Sequence, residues 1–311
     1  VMIGLVGACL HPAPKTAFVL GLGTGCTAGW LGQVQGIERV DCLELERAIC
    51  RVGQDCAPVN AGAMSNPRVK VIVGDGREFL LTTPHTYDLI VSEPSNPYRA
   101  GIASLFTTEF YASARARLNR GGIFCQFLQA YHVSGQTIRT VYATLRSVFG
   151  CVESFQSSAG DLLLVCSQEP ILFDAERLRG RLAQEPFATA LRVAWRTEGL
   201  EGLLSRYVAG AGMADLIARL EAGRLNTDDW MPVEYGYAQT MGRSGLFRVS
   251  ELRREARRHG FDRPQLKGDA DWGVVADEAA SIPLVSGLQP EPLDHAGAGH
   301  LLRARALAAY L

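Results

Sequence analysis

The chain has 311 residues, enough to bury a sizeable core as one large domain or two modest ones. Hydrophobic residues make up 47% and charged residues 20%, and the formal net charge of −1 excludes a broad electrostatic attraction to nucleic acid. Eight cysteines occur without a Cys-x-x-Cys pair or zinc spacing, so no metal site is expected and a reducing, cytoplasmic setting suits the chain.

No apolar run reaches the roughly 18 residues a membrane helix needs. Residues 2–10 are apolar but too short to span, and they lack the charged start of a signal peptide. They read as a short helix or strand entering the core. The pattern leaves room for a membrane segment upstream of residue 1, with this chain as the cytoplasmic domain of a membrane-fused protein.

Residues 1–165 alternate short apolar runs with amphipathic stretches, the pattern of a parallel sheet covered by helices. Residues 17–20 form a first buried strand that ends in Gly21-Leu-Gly-Thr-Gly25, followed by a helix to about Gln33. Residues 39–43 are a second strand ending at Glu44, and residues 47–59 are helical. Residues 69–73 are a third strand closed by Gly74-Asp-Gly76. Residues 87–91 are a fourth, ending in Ser92-Glu-Pro-Ser-Asn-Pro-Tyr98. A helix over 107–118, a fifth strand over 122–127 and a helix over 136–149 come next. Residues 152–156 and 161–166 then read as an antiparallel hairpin that closes a sheet of seven strands.

Beyond residue 169 the pattern is helical and rich in Arg, Ala and Leu, interrupted by Asn226-Thr-Asp-Asp-Trp-Met-Pro-Val-Glu-Tyr235. Three parts are expected: a Rossmann-like nucleoside-binding core over 1–168, a helical segment with an acidic loop over 169–245, and a helical tail over 246–311. Pro283, Pro290 and Pro292 break that tail, and its end from Leu301 to Leu311 is weakly amphipathic.

Open parallel sheets bind ligands at the carboxyl ends of their strands. Here each of the first four strand ends carries an unusual residue. Glycines 21, 23 and 25 let a ligand approach the backbone. Glu44 stands 19 residues past Gly25, the spacing that suits a bidentate bond to ribose hydroxyls. Asp75 and Gly76 follow the third strand, and Glu93 the fourth. Singly, each has a plain reading: Asp75 as a turn residue, Glu44 as a solvated surface residue, Glu93 as a loop cap. The glycines run G-x-G-x-G rather than the dinucleotide G-x-G-x-x-G, which suits an adenosine ligand without a pyrophosphate better than a nicotinamide dinucleotide.

In these segments the chain resembles the spermidine/spermine synthases. The resemblance is carried by Val19-Leu-Gly-Leu-Gly-Thr-Gly25, Cys42-Leu-Glu-Leu-Glu46, Val73-Gly-Asp-Gly-Arg77 and Tyr87-Asp-Leu-Ile-Val-Ser-Glu-Pro-Ser-Asn-Pro97. It continues through Ala103-Ser-Leu-Phe-Thr-Thr-Glu-Phe-Tyr111 and Gly121-Gly-Ile-Phe-Cys-Gln126, covering about residues 12 to 166. The bacterial spermidine synthase-like proteins, in which Thr-Asp-Asp-x-x-Pro recurs and membrane segments are often fused, look most similar. The resemblance implies a Rossmann-like methyltransferase fold binding S-adenosylmethionine or its decarboxylated form as co-substrate. Gly21, Gly23, Thr24, Gly25, Glu44, Asp75 and Gly76 would then hold the nucleoside, with Glu44 on the ribose and Asp75 on the adenine amino group. Glu93 would fall at the family's catalytic Asp.

Two departures bear on the substrate. The family's glycine loop reads Gly-Gly-Gly-Asp-Gly and its Asp holds the donor's aminopropyl amine; Thr24 stands there in this chain. The family's Asp-Ser-Ser-Asp becomes Glu93-Pro-Ser-Asn96, and the family's amino-terminal β-hairpin region has no counterpart. Aminopropyl transfer to a small amine acceptor is the first expectation. Methyl transfer from S-adenosylmethionine in the same cleft and a non-catalytic nucleoside-binding module are the alternatives. Asn96, Tyr98, Gln126 and Tyr131 lie near the acceptor rim by position, as does His132, which is also an ordinary surface histidine. Asp228 and Asp229, beside Trp230, could fold back over the site to hold a cation, or Asn226-Thr-Asp-Asp could cap a helix. A homodimer is compatible with the pattern.

Overall fold

The computed structural model describes residues 1–94, 101–131, 133–158, 160–221, 223–240 and 246–285. The chain opens with helix α1 (Met2–Leu10), buried at every position except Ile3. A Cβ on Gly7 would stand 2.8 Å from the Cys125 sulfur, so the glycine lets this helix lie directly on the sheet.

The core alternates as its periodicity predicts: β1 (Thr16–Leu20), α2 (Cys26–Gly32), β2 (Arg39–Glu44), α3 (Ile49–Asp55), β3 (Val69–Val73), α4 (Gly76–Thr82) and β4 (Tyr87–Ser92). A 3₁₀ turn over Ile102–Phe106 leads into α5 (Thr108–Ala116), β5 (Leu118–Gln129) and α6 (Gly135–Val148). The hairpin β6 (Cys151–Ser158) and β7 (Asp161–Ser167) follows. Side chains that accept from the first-turn amides mark several helix starts: Thr107 takes the Phe110 N–H and Ser134 the Thr137 N–H. Helix α4 was not anticipated; Asp75 starts it by accepting from the amides of Arg77 and Glu78.

Next come β8 (Phe173–Asp174), α7 (Ala175–Leu182), α8 (Phe187–Ala190) and a π turn over Leu191–Trp195, then α9 (Gly199–Ser205) and β9 (Tyr207–Ala209). The described chain ends with α10 (Ala211–Glu221), α11 (Pro232–Thr240), α12 (Val249–Arg258), β10 (Leu266–Lys267) and α13 (Trp272–Val285). The expected amphipathic end at 301–311 lies outside the described residues.

The main sheet runs β3-β2-β1-β4-β5-β7-β6-β9, parallel from β3 to β5 and antiparallel beyond. It has eight strands where the sequence led us to expect seven. The addition, β9, is too short to carry a period, and its place is set by distant groups. The Tyr207 hydroxyl donates to the buried Glu153 carboxylate on β6, and Arg253 of α12 donates to the carbonyls of Ser205 and Tyr207.

Apolar side chains cover both faces of the sheet. One face, with Val19, Leu89 and Val91, carries α1, α2 and α7 to α9; the other, with Phe18, Ile90 and Phe124, carries α5, α6, α10 and α11. Both layers leave the carboxyl ends of β1 to β4 at one edge of the molecule. No described helix is long and apolar enough to cross a membrane.

The seat of α2 depends on a single hydrogen atom. A Cβ on Gly29 would lie 1.8 Å from the Asn60 carbonyl oxygen, which belongs to backbone and cannot swing aside. Gly29→Ala should therefore lower the unfolding free energy by about 3 kcal/mol, measured by denaturant titration. A loss within experimental error would mean that the turn at Asn60 yields freely.

Candidate active site

The first strand end is built from left-handed backbone. Gly21, Gly23 and Gly25 have φ of +96°, +51° and +83°, values an L-residue with a side chain adopts only at a cost. At Gly21 the reason is also steric, because a Cβ there would meet the Glu93 carbonyl oxygen at 2.8 Å. At Gly23 the space is open, so with Thr24 it forms the exposed tip of the loop, while Gly25 leads into α2.

Two side chains hold this loop in shape. Glu44 accepts from the Leu22 amide at 3.0 Å through one oxygen and from the Glu46 amide at 2.9 Å through the other. Asn60, fully buried, donates to the Thr24 carbonyl at 2.8 Å and the Gly53 carbonyl at 2.7 Å, and accepts from the Ala63 amide. The sequence offered no signal for Asn60, which lies outside every strand end. Its work is to hold a loop carbonyl that would otherwise be left unpaired.

The start of α4, after the third strand, reaches across the end of β2 to the first strand end. A Cβ on Gly76 would touch the Leu20 side chain at 2.9 Å, so the glycine brings the start of α4 against the end of β1. Asp75 is exposed there, with Oδ1 spent on the α4 amides. The sequence offered Asp75 as a turn residue or a ligand; the structure makes it the N-cap of α4, exposed at the end of β3. Arg77, one residue past this motif, donates to the Ser104 carbonyl at 3.1 Å and pairs with Asp228.

Glu93 continues the fourth strand. Its amide donates to the Leu20 carbonyl at 3.0 Å, and its Oε2 accepts from the Thr27 hydroxyl in the first turn of α2 at 2.6 Å. The carboxylate thus turns toward the start of α2 rather than lying free on a surface. Burial pushes its pKa up, and the Thr27 hydroxyl opposes this by stabilising the ionised form. Glu93 as a whole residue is half-buried. Thr27, 3% exposed, is a second residue that sequence reasoning missed.

On the opposite face of the sheet, Ser92 pairs in register with Gln126, and both are fully buried. Gln126 was expected at the rim; instead Nε2 donates to the Phe127 carbonyl, while Oε1 and the Ser92 hydroxyl find no partner among the described residues. Tyr131 is 43% exposed and packs over Gly160 in the β6–β7 turn. Asn96, Tyr98 and His132 lie outside the described residues.

The acidic segment does fold back to this edge. Buried Asn226 donates to the Ala103 carbonyl at 3.1 Å and accepts from the Val233 amide in the first turn of α11, while its own amide donates to Thr144. The Asp228 amide donates to Glu109. The Asp228 carboxylate is engaged by Arg77, which with Thr107 outweighs partial burial and holds its pKa below the usual range. Asp228 is thus a tie between α4 and this segment, whereas Asp229 is exposed beside Trp230, itself 66% exposed.

An open hollow of about 460 Å³ lies elsewhere, among α7 to α9, lined by Arg179, Arg192, Glu198 and Glu201. Chemistry at the strand ends, not cavity size, marks the cleft. No group of three His, Cys, Asp or Glu able to hold a metal occurs among the described residues.

Known proteins with similar sequence point the same way. The family model described as "Spermine/spermidine synthase domain" matches residues 1–158. A polyamine aminopropyltransferase of Nitrosomonas europaea is 31% identical over 185 residues, covering 57% of this chain and 57% of that protein. One from Alkaliphilus metalliredigens is 30% identical over 158 residues, covering 50% of this chain and 55% of its own length. The chain thus spans a little over half the length of these curated relatives. Among solved structures, a spermidine synthase in complex with the transition-state analogue AdoDATO superposes with a TM-score of 0.52 at 19% identity. That alignment covers 70% of this chain and 74% of the other, a likeness of fold.

Proposed function

The chain belongs to the spermine/spermidine synthase family, and from that premise we propose that it transfers an aminopropyl group from decarboxylated S-adenosylmethionine to a small amine acceptor. The observation that carries this reading is the placement of Glu44, Asp75 and Glu93 at the carboxyl ends of β2, β3 and β4, around the glycine loop that ends β1, with Glu44 bonded to the Leu22 amide of that loop.

The loop and Glu44 hold the nucleoside: its ribose hydroxyls donate to the Glu44 carboxylate, and Asp75 meets the adenine amino group. Gly23, with open space about it, keeps the backbone clear for the ligand. The donor's sulfonium activates the adjoining methylene. The acceptor nitrogen forms a bond to that carbon as the carbon–sulfur bond breaks, the bond's electron pair stays on sulfur, and methylthioadenosine leaves. The proton lost by the nitrogen passes to Glu93. Holding nitrogen, carbon and sulfur in line supplies part of the rate, since positioning of this kind is worth roughly 7–11 kcal/mol in favourable cases. Asp229, beside the exposed Trp230, offers a cationic acceptor a carboxylate and an aromatic face. A cytoplasmic setting, where the donor is made and kept, goes with this reading.

The test is the nucleoside product. Purified protein incubated with either donor and a set of linear diamines should release methylthioadenosine from the decarboxylated donor. Release of S-adenosylhomocysteine from the intact donor would replace this reading with methyl transfer. Tight nucleoside binding without either product would make the chain a binding module.

A further inference from the structure

Thr227 and Trp230 close a tight turn on each other. The Thr227 amide donates to the Trp230 carbonyl at 2.8 Å, and the Trp230 amide returns to the Thr227 carbonyl at 3.2 Å and hydroxyl at 3.1 Å. Asp228 and Asp229 stand at its tip. Buried Asn226 anchors the base of the turn, and the tip is placed through Asp228. The Asp228 amide donates to Glu109 of α5 at 3.0 Å, and the Asp228 carboxylate takes Arg77 of α4. Arg77 starts from the helix end that Asp75 caps, its amide donating to Asp75 Oδ1 at 2.7 Å. Its guanidinium also donates to the Ser104 carbonyl at 3.1 Å, so one planar fork grips two segments. Asp229 is left aside by all of these bonds. It is exposed, and among the described residues no Lys, Arg or His forms an ion pair with it. The guanidinium spent on Asp228 thus leaves the charge of Asp229 uncompensated beside the exposed Trp230. Without Arg77, the carboxylates of Asp228, Asp229 and Glu109 would repel one another and the tip would lose its tie to α4.

We propose that Arg77 is a positioning residue for the amine acceptor, holding the Thr227–Trp230 turn against the start of α4 so that Asp229 and Trp230 take the acceptor's ammonium. Asp228 then serves the acceptor through its pairing and not by contact. The inference rests on the reading of the cleft as an amine-accepting S-adenosyl site. Arg77 stands two residues past Asp75, so a single side chain joins the nucleoside end of the cleft to its acceptor end. A tie that served folding alone would affect nucleoside and amine alike.

Calorimetric titration of putrescine, a linear diamine, into protein saturated with methylthioadenosine reads the acceptor end without turnover. Titration of methylthioadenosine alone reads the nucleoside end and the folded state of each variant. Arg77→Met keeps the apolar stem and removes the charge. It should weaken putrescine by roughly 10- to 100-fold, the effect of misplaced binding groups, with methylthioadenosine affinity and melting temperature unchanged. Arg77→Lys, which keeps the charge but not the two-pronged grip, should lose less. Reversing the pair, with Arg77→Asp and Asp228→Arg together, should recover most of the affinity that Arg77→Asp alone removes. Asp229→Asn should weaken putrescine directly, and adding it to Arg77→Met should change little more, because both act on one contact. Equal losses of both ligands in Arg77→Met, no loss of either, or additive losses with Asp229→Asn would overturn the proposal and leave the nucleoside site standing. Failure of putrescine to bind the unaltered methylthioadenosine complex would overturn it as well. Failure of the unaltered protein to bind methylthioadenosine would overturn the site reading itself.

Discussion

Glu93→Gln should reduce turnover at saturating donor by about 10²–10⁴-fold, the usual contribution of a positioned general base. The amide keeps the shape and the Thr27 contact but cannot take a proton, so methylthioadenosine binding and the melting temperature should hold. The pH profile supplies a second check. Glu93 must be ionised to accept a proton, and burial raises its pKa in the folded protein. Activity should therefore fall, as pH is lowered, at values above the ordinary carboxyl range. Thr27→Val removes the bond that favours the ionised form and should move that acid limb to higher pH. Stability runs the other way. A folded-state pKa above the unfolded one means that Glu93's contribution is fully present at low pH and is lost as pH rises through the folded value. Glu93→Gln should for that reason cost no stability at neutral pH. Turnover within a few-fold of the unaltered enzyme would place the base elsewhere.

The second large effect is expected at Glu44. Its carboxylate accepts from two backbone amides and, in the proposed complex, from the ribose hydroxyls as well. Glu44→Ala removes the ribose contacts and leaves the Leu22 amide of the loop without its acceptor. Hydrogen bonds to a charged group are worth about 1.5–3 kcal/mol each. Nucleoside affinity should accordingly drop by about 10²-fold or more, measured with methylthioadenosine so that no propyl chain contributes. Glu44→Gln, which keeps two acceptor positions' worth of shape but only one carbonyl oxygen, should fall between. An unchanged affinity in Glu44→Ala would detach the ribose from β2 altogether.

Much of this site was legible before folding. The run of apolar segments gave β1 to β7 in order because a buried parallel strand leaves a continuous apolar run and its end leaves a turn. Glycines 21, 23 and 25, Glu44, Asp75 and Glu93 stood out because each follows directly on such a run. The caps at Thr107 and Ser134 follow the same local chemistry. Asp75 shows the limit of this reading: the residue type announced a turn and a ligand alike, and the fold gives the turn a definite use in starting α4.

What the sequence determined by itself is the order of β1 to β7 and the identity of the residues at the strand ends. Both follow from periodicity and turn geometry within a few neighbours. The tertiary structure alone decided where those residues point and what they touch. Thr27 meets Glu93 across 66 residues, Asn60 meets the Thr24 carbonyl across 36, and Arg77 meets Asp228 across 151. The same is true of β9, whose three residues pair with β6 and are tied there by Tyr207 on Glu153, 54 positions away, and by Arg253 on the Ser205 and Tyr207 carbonyls. A side chain's local sequence limits its rotamers, but its partner is chosen by whichever distant segment packs beside it. Burial then sets the strength of that contact, turning an ordinary glutamate at a strand end into an aimed carboxylate with a raised pKa.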